Sequence, residues 1–163
     1  MAPVKLTAQE RRNLELLKVW IKAWVNDTGR MVDEIYADSA EVFGPMQNMY
    51  FLKRGKDKAN WRAVEAANRN LFLKRKTRFG TIVAKGDTVA VEVETIDTDL
   101  KGRIRKGWFA AFLTFDKNGK IITDRTYMKD MDRTPDPAKA KDPKIKKAME
   151  EMREAHSRML AEQ

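Results

Sequence analysis

The chain has 163 residues, with 33 Lys and Arg against 24 Asp and Glu, and therefore a formal net charge of +9. This length fits one domain, and a hydrophobic share of 42% is enough for a core. The absence of cysteine excludes disulfides and thiol nucleophiles, and the single histidine, His156, excludes serine-type triads and multi-histidine zinc sites. Any chemistry therefore depends on carboxylates, amides, lysine, arginine or tyrosine.

Charge and hydropathy also bear on partners and location. The basic residues are scattered along the chain, whereas nucleic-acid modules gather them on one face with aromatic residues, so no nucleic-acid partner is expected. No apolar run reaches the roughly 18 to 20 residues that cross a bilayer. The first residues lack the apolar region of a signal peptide. We therefore expect a cytoplasmic protein that does not bind membranes.

The first third of the sequence predicts helices. Thr7 to Glu10 match a capping box, and apolar residues then recur at helical spacing as far as Trp24. The segment 26–29, Asn-Asp-Thr-Gly, ends this helix. Three further segments follow: a short helix over about residues 30–36, a short strand over 41–45 and a third helix over about 57–71.

From Arg78 onward the hydrophobic period changes from that of a helix to that of a strand. The residues of alternating or continuous apolar character predict four strands: 79–84, one through Val89, Val91 and Val93, 103–115 and 120–130. Asp116 to Gly119 are typical of a hairpin turn. Three helices followed by an antiparallel meander predict an α+β fold.

The end of the chain predicts a separate element. We expect one domain over residues 1–131, followed by a linker and a helix over 132–163. Asp142 would cap this helix, with Pro143 at its first position. Its apolar side, which would pack on the domain or on a partner subunit, comprises Ile145, Ala148, Met149, Met152 and Met159.

Two motifs carry a resemblance to a known superfamily. Tyr-Ala-Asp-Ser-Ala at residues 36–40 and Asp-Lys-Asn-Gly-Lys-Ile at 116–121 resemble the nuclear transport factor 2-like (NTF2-like) superfamily, which includes the SnoaL-like polyketide cyclases. The resemblance covers about residues 10–131. It implies a cone-shaped, curved antiparallel sheet wrapped by three N-terminal helices, here with an extra C-terminal helix, and a ligand in the mouth of the cone. It also implies a homodimer through the exposed face of the sheet.

Two further segments resemble the limonene epoxide hydrolase branch of that superfamily. Asn48 falls on the branch's asparagine, which helps to hold the attacking water, and Met46 falls on its tyrosine. Asp97 falls on the acid aspartate, and Thr95 on the arginine that precedes it. One acid and one amide of the branch are therefore kept.

The last strand departs from the branch. It should end in a second aspartate, but Lys129 stands there, with Asp130 just beyond. Strand alternation places Thr95 and Asp97 on one face, and Tyr127 and Lys129 on one face of the last strand. If both faces look into the cone, Asp97 and Lys129 form a desolvated ion pair; the alternative is a salt bridge at the rim of the sheet.

Together, the residues and the resemblance predict a small cofactor-free enzyme, most simply a lyase, acting on a bulky hydroxylated aromatic substrate. Elimination or carbon–carbon cleavage is favoured over hydrolysis because the water-activating aspartate is missing; release of formaldehyde from lignin-derived aromatic dimers is one such reaction within the superfamily. Asp97 would transfer the proton, while Lys129, Tyr127 and Asn48 would bind or polarise oxygen. The pocket would be lined by Trp20, Trp24, Met46, Tyr50, Trp61, Thr95 and Phe109.

Two alternatives stay open at this point. One is an epoxide hydrolase whose second carboxylate is Asp130, brought inward by a bulge in the last strand. The other is a non-catalytic ligand-binding or assembly module. No metal site is predicted for any of the three.

Overall fold

The structure, a computed structural model, describes residues 5–43 and 58–129 and, from the C-terminal segment, residues 143, 146–147, 150–151, 154, 157–158 and 161. A single five-stranded sheet carries the helices of the N-terminal half. The elements are helix α1 (Ala8–Asn26), helix α2 (Thr28–Arg30) continuing into a π-helical turn (Met31–Ile35), strand β1 (Tyr36–Phe43), helix α3 (Lys58–Arg69) and strands β2 (Phe72–Lys85), β3 (Thr88–Asp99), β4 (Ile104–Phe115) and β5 (Ile121–Lys129).

Helix α1 begins with the capping box that the sequence predicts. The Thr7 hydroxyl accepts a hydrogen bond from the Glu10 backbone N–H at 3.2 Å, and the Glu10 carboxylate accepts one from the Thr7 N–H at 2.7 Å. Glu10 also accepts a hydrogen bond from the backbone N–H of Gly86, at 3.1 Å. The start of α1 is therefore tied to the turn between β2 and β3, while Leu17 and Trp20 are buried.

The strands lie in the order β1-β5-β4-β3-β2. Strand β1 is parallel to β5, and all the other neighbouring pairs are antiparallel. The meander of β2 to β5 and the α+β class are as the sequence predicts. The sheet is curved but not closed, because β1 and β2 form its two edges.

Three element boundaries differ from the sequence prediction. Strand β1 begins at Tyr36 rather than at residue 41, because a register shift between Tyr36 and Glu41 breaks the alternation by which a strand is recognised. Strand β2 begins at Phe72 rather than at residue 79, since this edge strand is largely exposed and its first half is basic. The second helix is replaced by α2 and the π-helical turn.

The central strands have two distinct faces. In β4, Phe109, Ala111 and Leu113 are buried, whereas the alternate residues Trp108 and Phe112 are 46% and 45% exposed. We call the face of Phe109, Ala111 and Leu113 the inner face, because Phe109 contacts the rings of α1 there. We call the face of Trp108 and Phe112 the outer face. Each residue of β3 and β5 shares the face of its register partner in β4.

The C-terminal segment is helical at each of its described residues between 143 and 161, and all of these are exposed. This agrees with the helix predicted after Asp142. The predicted apolar side of that helix, and hence where it packs, lies outside the described residues. Within the part of the chain that the structure describes, no helix is both long and apolar enough to span a membrane.

The assignment of the two faces predicts opposite outcomes for neighbouring residues of β4. Leu113→Ala empties a fully buried site and should lower the free energy of unfolding by about 2 to 5 kcal/mol. Phe112→Ala, on the outer face, should lower it by less than about 1 kcal/mol. Urea unfolding of the two variants measures both values, and similar losses would contradict the assignment.

Candidate active site

The inner face of β5 carries a buried carboxyl group at Asp124. Its register partner is Leu113, so its side chain shares the inner face, and the residue is 4% exposed. Asp124 Oδ2 accepts a hydrogen bond from the Tyr36 hydroxyl at 2.5 Å, and Oδ1 accepts one from the Thr126 hydroxyl at 2.7 Å. Both carboxylate oxygens are therefore held by neutral hydroxyl groups.

Tyr36 joins this carboxyl to the helices. Its hydroxyl accepts a hydrogen bond from Trp20 Nε1 at 2.8 Å while donating to Asp124. Its ring packs edge-to-face with the Trp61 ring, with centroids 4.4 Å apart. A chain of hydrogen bonds thus runs from α1 through the start of β1 to β5.

Burial changes the acidity of both groups. It raises the pKa of Asp124 from 3.8 to about 6, against the opposing effect of its hydrogen bonds from Tyr36 and Thr126. Burial, together with the adjacent Asp124 carboxylate, raises the pKa of Tyr36 well above its usual value. Tyr36 therefore keeps its proton, whereas Asp124 changes its charge close to neutral pH.

A second acid, Glu65 on α3, lies near this group. Trp61 Nε1 donates to Glu65 Oε1 at 3.2 Å, whereas Oε2 is shielded from solvent and has no hydrogen-bond partner among the described residues. Burial raises the pKa of Glu65, opposed by hydrogen bonding to Trp61, by the positive charge of Arg75 and by hydrogen bonding to Trp24. The charge of Glu65 also contributes to the raised pKa of Asp124.

Asp97 has a different environment, a buried ion pair. Arg75 Nε donates to Asp97 Oδ1 at 3.0 Å, and Nη2 donates to Oδ2 at 3.2 Å, across the β2–β3 register. Both side chains are almost fully buried. The guanidinium also lies over two rings, 4.1 Å from the centroid of Trp24 and 4.8 Å from that of Phe72. Both oxygens of Asp97 are thus already occupied.

Solved structures of the same architecture are known, although no protein-family model and no curated protein sequence matches the chain. A candidate SnoaL-like polyketide cyclase from Jannaschia sp. aligns with a TM-score of 0.62 at 12% identity, over 76% of this chain and 90% of its own. An NTF2-like protein from Anabaena variabilis aligns with a TM-score of 0.62 at 14% identity, over 77% of this chain and 95% of its own. This chain has the SnoaL-like, NTF2-like fold.

A third similar structure is SalBIII, an epoxide hydrolase/cyclase-like enzyme in pyran ring formation in the polyether salinomycin. It aligns with a TM-score of 0.60 at 19% identity, over 76% of this chain and 95% of its own. At this level of identity the likeness shows the NTF2-like fold alone, and it does not distinguish the limonene epoxide hydrolase branch.

The NTF2-like cone brings together several residues of the predicted site. Asp97 and Thr95 lie on the inner face of β3 and are buried; Thr95 is opposite Gly107, where a side chain would come within 3.0 Å of its hydroxyl. The predicted aromatic lining residues lie on the same side of the sheet and largely pack on one another: Trp20, Trp24, Trp61 and Phe109. Their contact with a substrate stays a prediction.

Other predicted residues are not brought together with Asp97. Tyr127 lies on the outer face, 51% exposed, between the rings of Phe43 and Phe112. Lys129 pairs in register with Trp108, an outer-face residue, and the structure describes the backbone but not the side chain of Lys129. Asp97 forms its ion pair with Arg75, whereas the sequence predicts Lys129 as its partner. Asn48, Met46, Tyr50 and Asp130 lie outside the described residues.

Sequence reasoning missed four functional candidates in this NTF2-like site: Tyr36, Glu65, Arg75 and Asp124. Strand alternation places Asp124, Thr126 and Met128 on one face of β5 and Arg125, Tyr127 and Lys129 on the other. The polar residues of the second set favour the prediction that this second face points into the site. The sequence marks Tyr36 only as part of a fold motif and does not predict it as a site residue. Arg75 belongs to the part of β2 that was not recognised as a strand.

The raised pKa of Asp124 predicts a pH-dependent stability. The folded chain binds this proton more tightly than the unfolded chain, so the stabilisation is complete below 3.8 and is lost as the pH rises through about 6. The shift corresponds to a loss on the order of 3 kcal/mol. The difference in unfolding free energy between the wild type and Asp124→Asn, measured by urea titration, should fall over this range. Asp87→Asn, at the exposed β2–β3 turn, controls for the removed charge, and a flat difference for Asp124→Asn would contradict the assignment.

Proposed function

We propose that this chain is a small cofactor-free enzyme that carries out general acid–base chemistry on a bulky hydroxylated aromatic substrate, and that it is a lyase. The observation that carries the proposal is Asp124, a buried carboxyl whose pKa is raised to about 6 and whose two oxygens accept hydrogen bonds from hydroxyl groups. Near neutral pH such a group is present both as an acid and as a base, which proton transfer requires. The NTF2-like fold supports an enzyme by analogy.

A lyase of this kind needs only proton transfer. In a substrate with two hydroxyl groups on alternate carbons, ionised Asp124 removes the proton of the terminal hydroxyl. The adjacent carbon–carbon bond breaks and formaldehyde leaves. The electron pair forms a carbon–carbon double bond as the second hydroxyl departs, and Asp124 returns its proton to that oxygen as water. Tyr36, which keeps its own proton, donates a hydrogen bond to the Asp124 carboxylate and so stabilises its ionised form before the first transfer and after the second.

The residues around Asp124 set the substrate class. The inner face carries aromatic rings: those of α1 contact Phe109 of β4, and Trp61 of α3 contacts Tyr36 of β1. Such a lining suits aromatic groups. Asp97 holds Arg75 through both carboxylate oxygens, so we assign it a positioning role rather than the proton transfer that its sequence context suggested. The oxygen-binding roles of Lys129 and Asn48 stay predictions, and we propose none for Tyr127, because it lies on the outer face.

One observation favours an epoxide hydrolase as the second candidate. Two aspartates, Asp97 on β3 and Asp124 on β5, share the inner face, so a second carboxylate is available without Asp130. In this mechanism one carboxylate deprotonates water while an acid protonates the epoxide oxygen. The bidentate pairing of Asp97 with Arg75 makes the hydrolase the weaker candidate, because both oxygens of Asp97 already accept a hydrogen bond from the guanidinium.

Replacing Asp124 by Asn tests the proposal and separates the candidates. Turnover should fall by about a hundredfold to ten-thousandfold, because the amide cannot transfer a proton, while substrate binding is retained. Mass spectrometry of products from lignin-type aromatic dimers, diols and epoxides gives the reaction class. Loss of formaldehyde or water identifies a lyase, and gain of one water by an epoxide identifies a hydrolase.

Tyr127→Phe is the matched control for this experiment, because Tyr127 lies on the outer face and its loss should leave turnover unchanged. A large loss in Tyr127→Phe with full activity in Asp124→Asn would overturn the assignment of the inner face. No turnover of any substrate by the wild type would favour the non-catalytic binding module.

We further propose a homodimer through the outer face. Trp108, Phe112 and Tyr127 expose aromatic surface there, and such a patch is often an interface. Light scattering should give twice the mass of one chain, and Trp108→Asp should reduce it towards that of a monomer. A wild-type monomer at high concentration would contradict this proposal.

A further inference from the structure

The guanidinium of Arg75 has one arm without a partner. Its Nε and Nη2 atoms are used by Asp97, but Nη1 is shielded from solvent and has no hydrogen-bond partner among the described residues. Arg75 is only 7% exposed, and a buried N–H without a partner is costly and therefore uncommon. The Asp97 fork and the rings of Trp24 and Phe72 fix the plane of the guanidinium, so the direction of this donor is fixed as well.

The neighbouring carboxylate has the complementary defect. Glu65 Oε2 is a solvent-shielded acceptor with no partner in the described part of the chain. The guanidinium of Arg75 lies over the ring of Trp24. The charge of Arg75 and hydrogen bonding from the Trp24 side chain both lower the pKa of Glu65, so Arg75 and Glu65 lie around one indole ring. A free donor and a free acceptor therefore lie in the same region of the cone.

We propose that Arg75 Nη1 and Glu65 Oε2 together bind a hydroxyl group of the ligand, either an alcohol or a phenol. The hydroxyl oxygen accepts from Arg75, and its hydrogen is donated to Glu65, so both incomplete groups are satisfied at once. This inference rests on the proposed function and deepens it, because it names the group that orients the substrate next to Asp124.

The local charges favour a neutral hydroxyl over an anion. Asp97 already neutralises the positive charge of Arg75 in a close ion pair. Because Glu65 is a further acid, the region has no surplus positive charge. A ligand carboxylate would be repelled by Glu65 and Asp97. An ether would accept from Arg75 but would leave Glu65 Oε2 unsatisfied.

Three naphthalenes that differ in one group test this proposal: 2-naphthol, 2-methoxynaphthalene and 2-naphthoate. Calorimetric titration of the full chain should give 2-naphthol an affinity at least about tenfold higher than either of the others. In Glu65→Gln the preference for 2-naphthol over 2-methoxynaphthalene should fall to about threefold or less, since the amide can donate to the ether. Glu15→Gln, at a surface site whose side chain is 70% exposed, should keep the wild-type ratio.

Two results would overturn the inference: equal affinities for 2-naphthol and 2-methoxynaphthalene in the wild type, or an unchanged ratio in Glu65→Gln. Either would mean that these two atoms bind only water. Arg75→Met alone leaves Asp97 buried without a counter-charge and destabilises the fold. The second variant is therefore the pair Arg75→Met and Asp97→Leu, which should lose the preference while remaining folded by circular dichroism.

Because 2-naphthol binding requires no turnover, the two proposals fail separately. Full activity in Asp124→Asn together with selective 2-naphthol binding would reject the proposed catalysis and keep the hydroxyl site. Loss of activity in Asp124→Asn without any preference among the naphthalenes would keep the catalysis and reject the hydroxyl site.

Discussion

The hydrogen bond between the Tyr36 hydroxyl and Asp124 joins β1 to β5, the first and last strands along the chain, and the candidate site is arranged around it. Asp124 is buried and has no cation bound to it among the residues that the structure describes, so its charge is unfavourable there and its pKa rises to about 6. Asp97, on the same face, accepts hydrogen bonds from a bidentate arginine on both of its oxygens. Two carboxyl groups of the same type thus have different environments, since one has neutral hydroxyl donors and the other has a cation.

Much of the fold follows from local sequence. The capping box at Thr7 and Glu10 fixes the start of α1, and the alternating valines of β3 fix a strand whose one face is buried. The polar start of β1 was missed, because a register shift interrupts its period just where Asp38 and Ser39 are exposed. Edge position rather than propensity makes that segment a strand, and edge position is a property of the whole sheet.

The site was less predictable than the fold. Alternation shows that Tyr127 and Lys129 occupy a different face from Asp124 and Thr126, but only the register of β5 on β4 determines which face is inside. The sequence predicts Asp97 as an interior acid but does not predict its partner. Arg75 lies opposite it on β2, in the part of that strand that the sequence does not predict. Contacts between residues distant in sequence decide both points, and a single sequence does not contain them.

The pairing of β1 with β5 has a consequence for the order of folding. Tyr36 and Asp124 are 88 residues apart, whereas Arg75 and Asp97 are separated by 22. As the chain leaves the ribosome, the hairpin of β2 and β3 can close around its ion pair early, because loop closure over the shorter separation costs less entropy. Tyr36 has no carboxylate to bind until β5 has been made. The Tyr36–Asp124 pair is therefore assembled last, and a nascent chain that ends before Asp124 holds the tyrosine but not its carboxyl partner.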